Sequence, residues 1–184
     1  MSRIDCNFCI KIALTEILGI NKTKKALTQT FPFQIRGDSM FPTLKNLQEV
    51  EIVAISSDES IDRGDIVVFS LDTDSSKTAD QKLWHVKRII GLPGEQVIFR
   101  NGSAWTKNSL NEESQLDESY LQNDSSYKLG IRNYTENGKG NVDYFEPILD
   151  RNQFYVLGDN RTGSSDSRNF GAIDVGLIKF RVVG

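Results

Sequence analysis

Ser39 is the residue through which this chain could do covalent chemistry, and it has no ordinary activator. It sits in Arg36-Gly37-Asp38-Ser39-Met40-Phe41-Pro42-Thr43-Leu44, framed by a glycine before and a proline after. The chain holds one histidine, His85, so any Ser/His arrangement must use it. The stretch His85-Val86-Lys87-Arg88-Ile89-Ile90-Gly91-Leu92-Pro93-Gly94-Glu95 offers a lysine as well. A serine hydroxyl is a weak nucleophile at neutral pH and must lose its proton as it attacks. A lysine takes that proton only when neutral, so burial in an apolar pocket must lower its pKa from about 10.4. Val86, Ile89 and Ile90 supply apolar surroundings. A strand through them sets Lys87 and Ile89 on one face. His85 shares that face, either as a neighbour of the site or as an imidazole satisfied by packing.

Positioning such groups requires a rigid frame, and the sequence between them reads as strands. Stretches 31–35, 49–55, 66–70, 82–90, 96–100, 154–157 and 177–183 are short, several are β-branched, and each is bounded by Gly, Pro, Asp or Asn. Arg63-Gly64-Asp65 and Leu92-Pro93-Gly94-Glu95 are turn signals that feed directly into strands. The polar run 72–80 reads as a flexible hairpin tip. Residues 101–150 differ in texture, with nine acidic and four basic residues but persistent aromatics such as Tyr120, Tyr134, Tyr144 and Phe145. An inserted subdomain fits them better than a linker. The expected division is 1–30 as an N-terminal helix and lead-in, 31–100 and 151–184 as the two parts of one core, and 101–150 as the inserted lobe.

Whole-chain properties narrow the function. At 184 residues the chain buries a sizeable core, as one large domain or a domain with a lobe. The net charge is -3, with no basic block or aromatic platform, which argues against nucleic-acid binding. Cys6 and Cys9 have the spacing of a redox pair or half a metal site, but no second pair or nearby histidine completes one, so they read as unpaired thiols. Residues 9–20 carry Ile10, Ala13, Leu14, Ile17 and Leu18 at helical spacing, with Lys11 and Glu16 among them. That stripe is too short to span a membrane. It packs on the protein's own core, or it lies on a membrane surface with Lys22, Lys24 and Lys25 beside it.

Three separated segments call for one explanation: 36–44, 85–95, and the charged loop Gly158-Asp159-Asn160-Arg161-Thr162-Gly163-Ser164-Ser165-Asp166-Ser167-Arg168. Together they resemble the type I signal peptidases, serine/lysine endopeptidases that remove signal peptides from exported proteins. Residues 37–44 resemble the family's nucleophile box, 63–69 the following strand box, 87–95 the lysine box, and 158–168 the final box. The resemblance implies a mainly β fold: a coiled antiparallel β-sheet core, a smaller inserted β-rich lobe, and here a short N-terminal amphipathic helix. It implies Ser39 as nucleophile and Lys87 as general base. Ser164 matches the hydroxyl that bonds the lysine amine in relatives. Asp159, Arg161, Asp166 and Arg168 match the charged residues that hold the final loop, and Met40 would line the substrate groove with Phe33, Ile35 and residues 83–86.

The resemblance also implies no cofactor or metal, and substrates that are preprotein signal peptides bound as an added strand. Location follows at the extracytoplasmic face of the membrane, reached peripherally or through a membrane-anchored partner. One departure stands out. Some relatives place a serine two positions before the nucleophile as an oxyanion donor, whereas this chain has Gly37. Two other readings share the scaffold. The self-cleaving Ser/Lys domain of SOS-type repressors has a similar nucleophile segment, but this chain lacks the Ala-Gly or Cys-Gly bond they cut. A peptide-binding protein without catalysis has no need to keep Ser39, Lys87 and Ser164 together.

Overall fold

The computed structural model describes residues 29–56, 59–121 and 143–183. The expected N-terminal helix and the two cysteines lie outside them. Among the described residues the fold is eleven antiparallel strands and one short helix. Alternation explains the first strand, β1 (Thr30–Gln34): Phe31 and Phe33 turn inward while Pro32 and Gln34 face out. Pro32 has no N–H to give a ladder, which suits an edge strand, and among the described strands β1 pairs with β2 (Glu49–Ala54) alone. β3 (Ile66–Phe69) is apolar throughout because both its faces are covered: Val68 joins one core cluster, Val67 and Phe69 another.

The remaining elements are β4 (His85–Gly91), β5 (Gln96–Arg100), β6 (Ser103–Lys107), β7 (Glu113–Gln115), β8 (Tyr144–Ile148), β9 (Gln153–Leu157), α1 (Ser167–Phe170), β10 (Ile173–Asp174) and β11 (Ile178–Val183). Two sheets result, ordered β1-β2-β11-β3-β4-β9-β10 and β7-β6-β5-β8. β4, the strand of Lys87, runs inside the larger sheet between β3 and β9. The smaller sheet takes residues 96–100, so the chain leaves the larger sheet at the turn 92–95. It returns after β8, and the two crossings are stitched together by Gly94 N–H to Leu149 O at 2.9 Å and Leu149 N–H to Glu95 O at 2.8 Å. Glu95 also accepts from Arg63 Nη2 at 2.5 Å and from Leu92 N–H at 2.8 Å.

Three buried clusters fix the arrangement. Phe31, Phe33, Ile35, Met40, Leu44, Ile52, Val68, Val86 and Phe180 fill one side of the larger sheet. Val67, Phe69, Ile89, Phe154, Val156, Ile173 and Ile178 form the core on its other face. Ile90, Val97, Phe99, Ala104, Leu149, Tyr155 and Leu157 weld the smaller sheet onto β4 and β9. Each fully buried side chain of this size contributes about 1.5 to 3 kcal/mol. Among the described residues, no helix is long and apolar enough to cross a membrane.

Candidate active site

Ser39 is carried by the turn that leaves β1. Gly37 adopts φ +82°, where a side chain would be strained, and its N–H donates to Asn46 Oδ1 at 2.8 Å. Phe41 N–H then bonds Asp38 O at 3.1 Å and Leu44 N–H bonds Met40 O at 2.9 Å, coiling the segment tightly. Met40 is drawn into the core at 1% exposure, which anchors the turn one residue beyond the serine. The result points Ser39 at β4: Lys87 Nζ stands 2.8 Å from Ser39 Oγ. Nζ also donates to Val86 O at 2.8 Å. A neutral amine has two N–H groups and one lone pair, so that donation leaves the lone pair free to face the serine proton.

Lys87 is 3% exposed and, among the described residues, forms no salt bridge. Burial pulls its amine down from 10.5 to about 8, against the opposing attraction of the Asp166 and Asp159 carboxylates. Both carboxylates are engaged elsewhere. Asp166 Oδ1 and Oδ2 accept from Arg168 Nε and Nη2 at 2.7 and 2.8 Å. Asp159 Oδ1 and Oδ2 accept from Arg88 Nε and Nη2 at 2.9 and 2.6 Å, and Thr43 Oγ1 donates to Oδ2 at 2.5 Å. Each acid thus meets an arginine fork-to-fork, the geometry that satisfies a buried carboxylate.

The final loop forms the wall behind the pair. Asp166 caps α1 and also accepts Gly158 N–H at 3.0 Å, folding the loop back on itself. Asn160 N–H donates to Ser39 O at 3.0 Å, and Asn160 Nδ2 donates to Asp38 O at 3.1 Å. At Gly158 the loop touches the nucleophile turn so closely that a Cβ would lie 2.1 Å from Ser164 Oγ and 2.4 Å from Ser39 O. Ser164 itself lies at this contact. Its hydroxyl is buried without a hydrogen-bond partner among the described residues, so the Lys87 to Ser164 bond implied by the resemblance is not made. Arg161 takes its carboxylate partner from outside its own loop. It reaches Glu118 Oε1 at 2.5 Å and Tyr120 OH at 3.1 Å, both from the smaller sheet's side of the molecule.

A groove of about 400 Å³ opens onto the pair. Phe33, Ile35 and Met40 line one side, residues 82–86 the other, and Ser39 and Lys87 lie in it. All the groove residues expected from the sequence are there. His85 belongs to it as well, with its ring stacked on Phe69 at 5.4 Å and tilted against Phe170 at 6.1 Å. Burial, and then the Lys87 charge, hold the imidazole below its ordinary pKa.

A family model described as signal peptidase, peptidase S26, matches residues 14–183. The chain belongs to this family. Signal peptidase IB of Staphylococcus aureus strain Mu50 is 32% identical over 155 residues, covering 82% of this chain and 76% of its own length. Signal peptidase I S of Bacillus subtilis strain 168 is 34% identical over 141 residues, 75% of this chain and 66% of the relative. Among solved structures, a signal peptidase I from Enterococcus faecalis V583 shares 28% identity with a TM-score of 0.46, over 68% of this chain and 98% of that one. By family membership the chain is a serine-type peptidase with a Ser/Lys dyad mechanism, and its substrates carry signal peptides.

Four residues of this signal peptidase's site escape a reading of the sequence alone. Arg88 and Thr43, the partners of Asp159, lie inside the quoted boxes but carry no local mark of their role. Glu118 and Tyr120 lie in the polar lobe, where acidic residues are common. No sequence signal marks Glu118 as the partner of Arg161, because residues 158–168 contain two acids and two arginines that could pair among themselves.

Proposed function

We propose that Ser39 is the nucleophile and Lys87 the general base with which this signal peptidase cuts preproteins after small residues. The single observation that carries the assignment is the 2.8 Å approach of Nζ to Oγ by an amine whose burial lowers it to about 8. Ser39 Oγ attacks the carbonyl carbon of the scissile bond as its proton passes to neutral Nζ. The resulting ammonium returns that proton to the departing amine, leaving an acyl-enzyme. Lys87 then takes a proton from water, hydroxide adds to the ester carbonyl, and Ser39 regains its hydrogen as the signal peptide leaves. The backbone N–H of Ser39, which bonds no group among the described residues, serves as one oxyanion donor.

Asp159, Arg161, Asp166 and Arg168 act by holding the loop, and Ser164 acts at the loop's contact with Ser39. The substrate lies in the groove as an extended strand beside β1, which ends the larger sheet's strand order among the described residues. Met40, Phe33 and Ile35 then meet alternate substrate side chains, and the cramped floor favours small ones. The catalytic core, expected at 31–100 and 151–184, excludes residues 96–100, because these pair as β5 within the smaller sheet, which serves as the inserted lobe. Action on exported preproteins sets the protein at the extracytoplasmic face of the membrane, in peripheral contact with it. The test is Ser39→Ala and Lys87→Ala in a preprotein cleavage assay: each abolishes product while the circular dichroism of the fold persists. Product formation at the original rate in either variant would reject the dyad.

A further inference from the structure

Two side chains just beyond β7 reach out of the lobe and into the catalytic loop. Glu118 Oε1 accepts from Arg161 Nη2 at 2.5 Å, while its Oε2 accepts Ala104 N–H on β6 at 3.1 Å, so the carboxylate is tied to the lobe's own frame. Tyr120 OH accepts from the same Nη2 at 3.1 Å. The Tyr120 ring lies against the Arg88 guanidinium, 4.0 Å from centroid to Cζ, a cation–π contact on the fork that grips Asp159. Asp159 in turn accepts from Thr43 on the nucleophile turn, and Arg161 Nε donates at 3.0 Å to the Gly158 carbonyl. Gly158 is the point where the loop meets Ser39. One connected set of contacts therefore runs from β6 to Thr43 on the turn that carries Ser39 and to Arg88, the residue next to Lys87 on β4.

The environment makes these contacts consequential. The side chains of Arg161 and Asp159 are 0% exposed and that of Glu118 is 10% exposed, so a guanidinium left without its acid must find another. Removing one partner of such a pair leaves an uncompensated buried charge. The loop that would shift in response carries Asn160, which holds the Ser39 carbonyl. Displacements of about 1 Å at a reacting pair cost on the order of a hundredfold in rate.

We propose that Tyr120 and Glu118 are positioning residues: by holding Arg88 and Arg161 they fix the final loop against Ser39 and set its separation from Lys87. The lobe is then part of the catalytic apparatus. This rests on the dyad assignment above. Neither residue touches the reacting atoms, so the expected signature is a loss in kcat with substrate affinity kept.

The experiment compares Tyr120→Phe, Tyr120→Leu and Glu118→Gln in the full chain, measuring kcat and KM on a preprotein per folded molecule, together with hydrogen exchange. Tyr120→Leu and Glu118→Gln should lower kcat about tenfold or more with KM within about twofold, while Tyr120→Phe, which keeps the ring, stays within about threefold of wild type. In the two impaired variants the Asn160 amide should exchange faster while amides pairing β1 with β2 do not change. Wild-type kcat in both Tyr120→Leu and Glu118→Gln overturns the proposal, as does a fall in kcat with Asn160 exchange unchanged. Tyr120→Phe failing as badly as Tyr120→Leu overturns the role of the ring. Global unfolding of both variants marks a purely structural clamp and also overturns it. A wild-type chain that does not cleave would sink the dyad assignment instead, and the exchange data would still report on the clamp.

Discussion

Replacing Lys87 by methionine should destroy activity and stabilise the protein, and the stabilisation should depend on pH in a defined direction. The amine falls from 10.5 to about 8 on folding, chiefly through burial. At about 1.4 kcal/mol for each tenfold change in proton affinity, that gap amounts to about 3 kcal/mol of folding stability forgone at neutral pH. Methionine is of similar length and apolar, so it fills the same space without a charge to desolvate. Against this stand the contacts of Nζ with Ser39 Oγ and Val86 O, worth about 1 kcal/mol each. A net gain of about 1 kcal/mol at pH 7 follows.

The pH dependence is the sharper part. Between about 8 and 10.5 the unfolded chain still holds the lysine proton and the folded chain has lost it, so wild-type stability rises with pH across that window. The methionine variant has no such contribution at this position. The stability of Lys87→Met relative to wild type should therefore fall by about 3 kcal/mol from pH 7.5 to 10.5, from a gain of about 1 kcal/mol to a deficit of about 2 kcal/mol, because His85, the group whose titration Lys87 perturbs, is held below its ordinary pKa and so is already neutral in that window. Urea unfolding followed by tryptophan fluorescence at four or five pH values measures it. A margin independent of pH would show that Lys87 folds with an ordinary pKa, and the reasoning about its neutral form would fail.

Gly158→Ala should cost activity at least about a hundredfold and destabilise by about 1 to 3 kcal/mol, since its Cβ would meet Ser164 Oγ at 2.1 Å and Ser39 O at 2.4 Å. Kinetics and thermal unfolding of the purified variant check both parts, and wild-type behaviour would mean the loop and turn do not touch there. His85→Phe should keep kcat within about threefold and keep the alkaline limb of the rate profile, because the ring's stacking on Phe69 is preserved and the base is Lys87. Loss of that limb would return the base role to the imidazole.

The sequence was most legible where local pattern and local need coincide. Alternating Phe31 and Phe33 announce β1, and the continuous apolar run of β3 announces a strand covered on both faces. Ser39 stands out from its Gly-Asp-Ser-Met-Phe-Pro setting, whereas the residues alone leave His85 and Lys87 both open as its base, and the resemblance of the four boxes singles out Lys87. The lobe was less legible: β7 and β8 are largely exposed, so few of their residues carry an inward signature. A turn signal did exist there. Asn101 and Gly102 both have positive φ, and Asn-Gly is a strong short hairpin signal; it joins β5 to β6 and shows why 96–100 belongs to the smaller sheet. Ion-pair partners were the least legible. Asp159 and Arg161 sit two residues apart, yet one turns to Arg88 on β4 and the other to Glu118 across the molecule. Only the folded chain decides which acid meets which base.

The dependence of kcat/KM on pH between 6 and 10 tests whether a neutral lysine activates Ser39. With an amine at about 8, the active neutral fraction is roughly a tenth at pH 7 and roughly nine-tenths at pH 9, so the rate should climb close to tenfold and level off above pH 9. A profile that is flat or falling over that range would contradict Lys87 as the base.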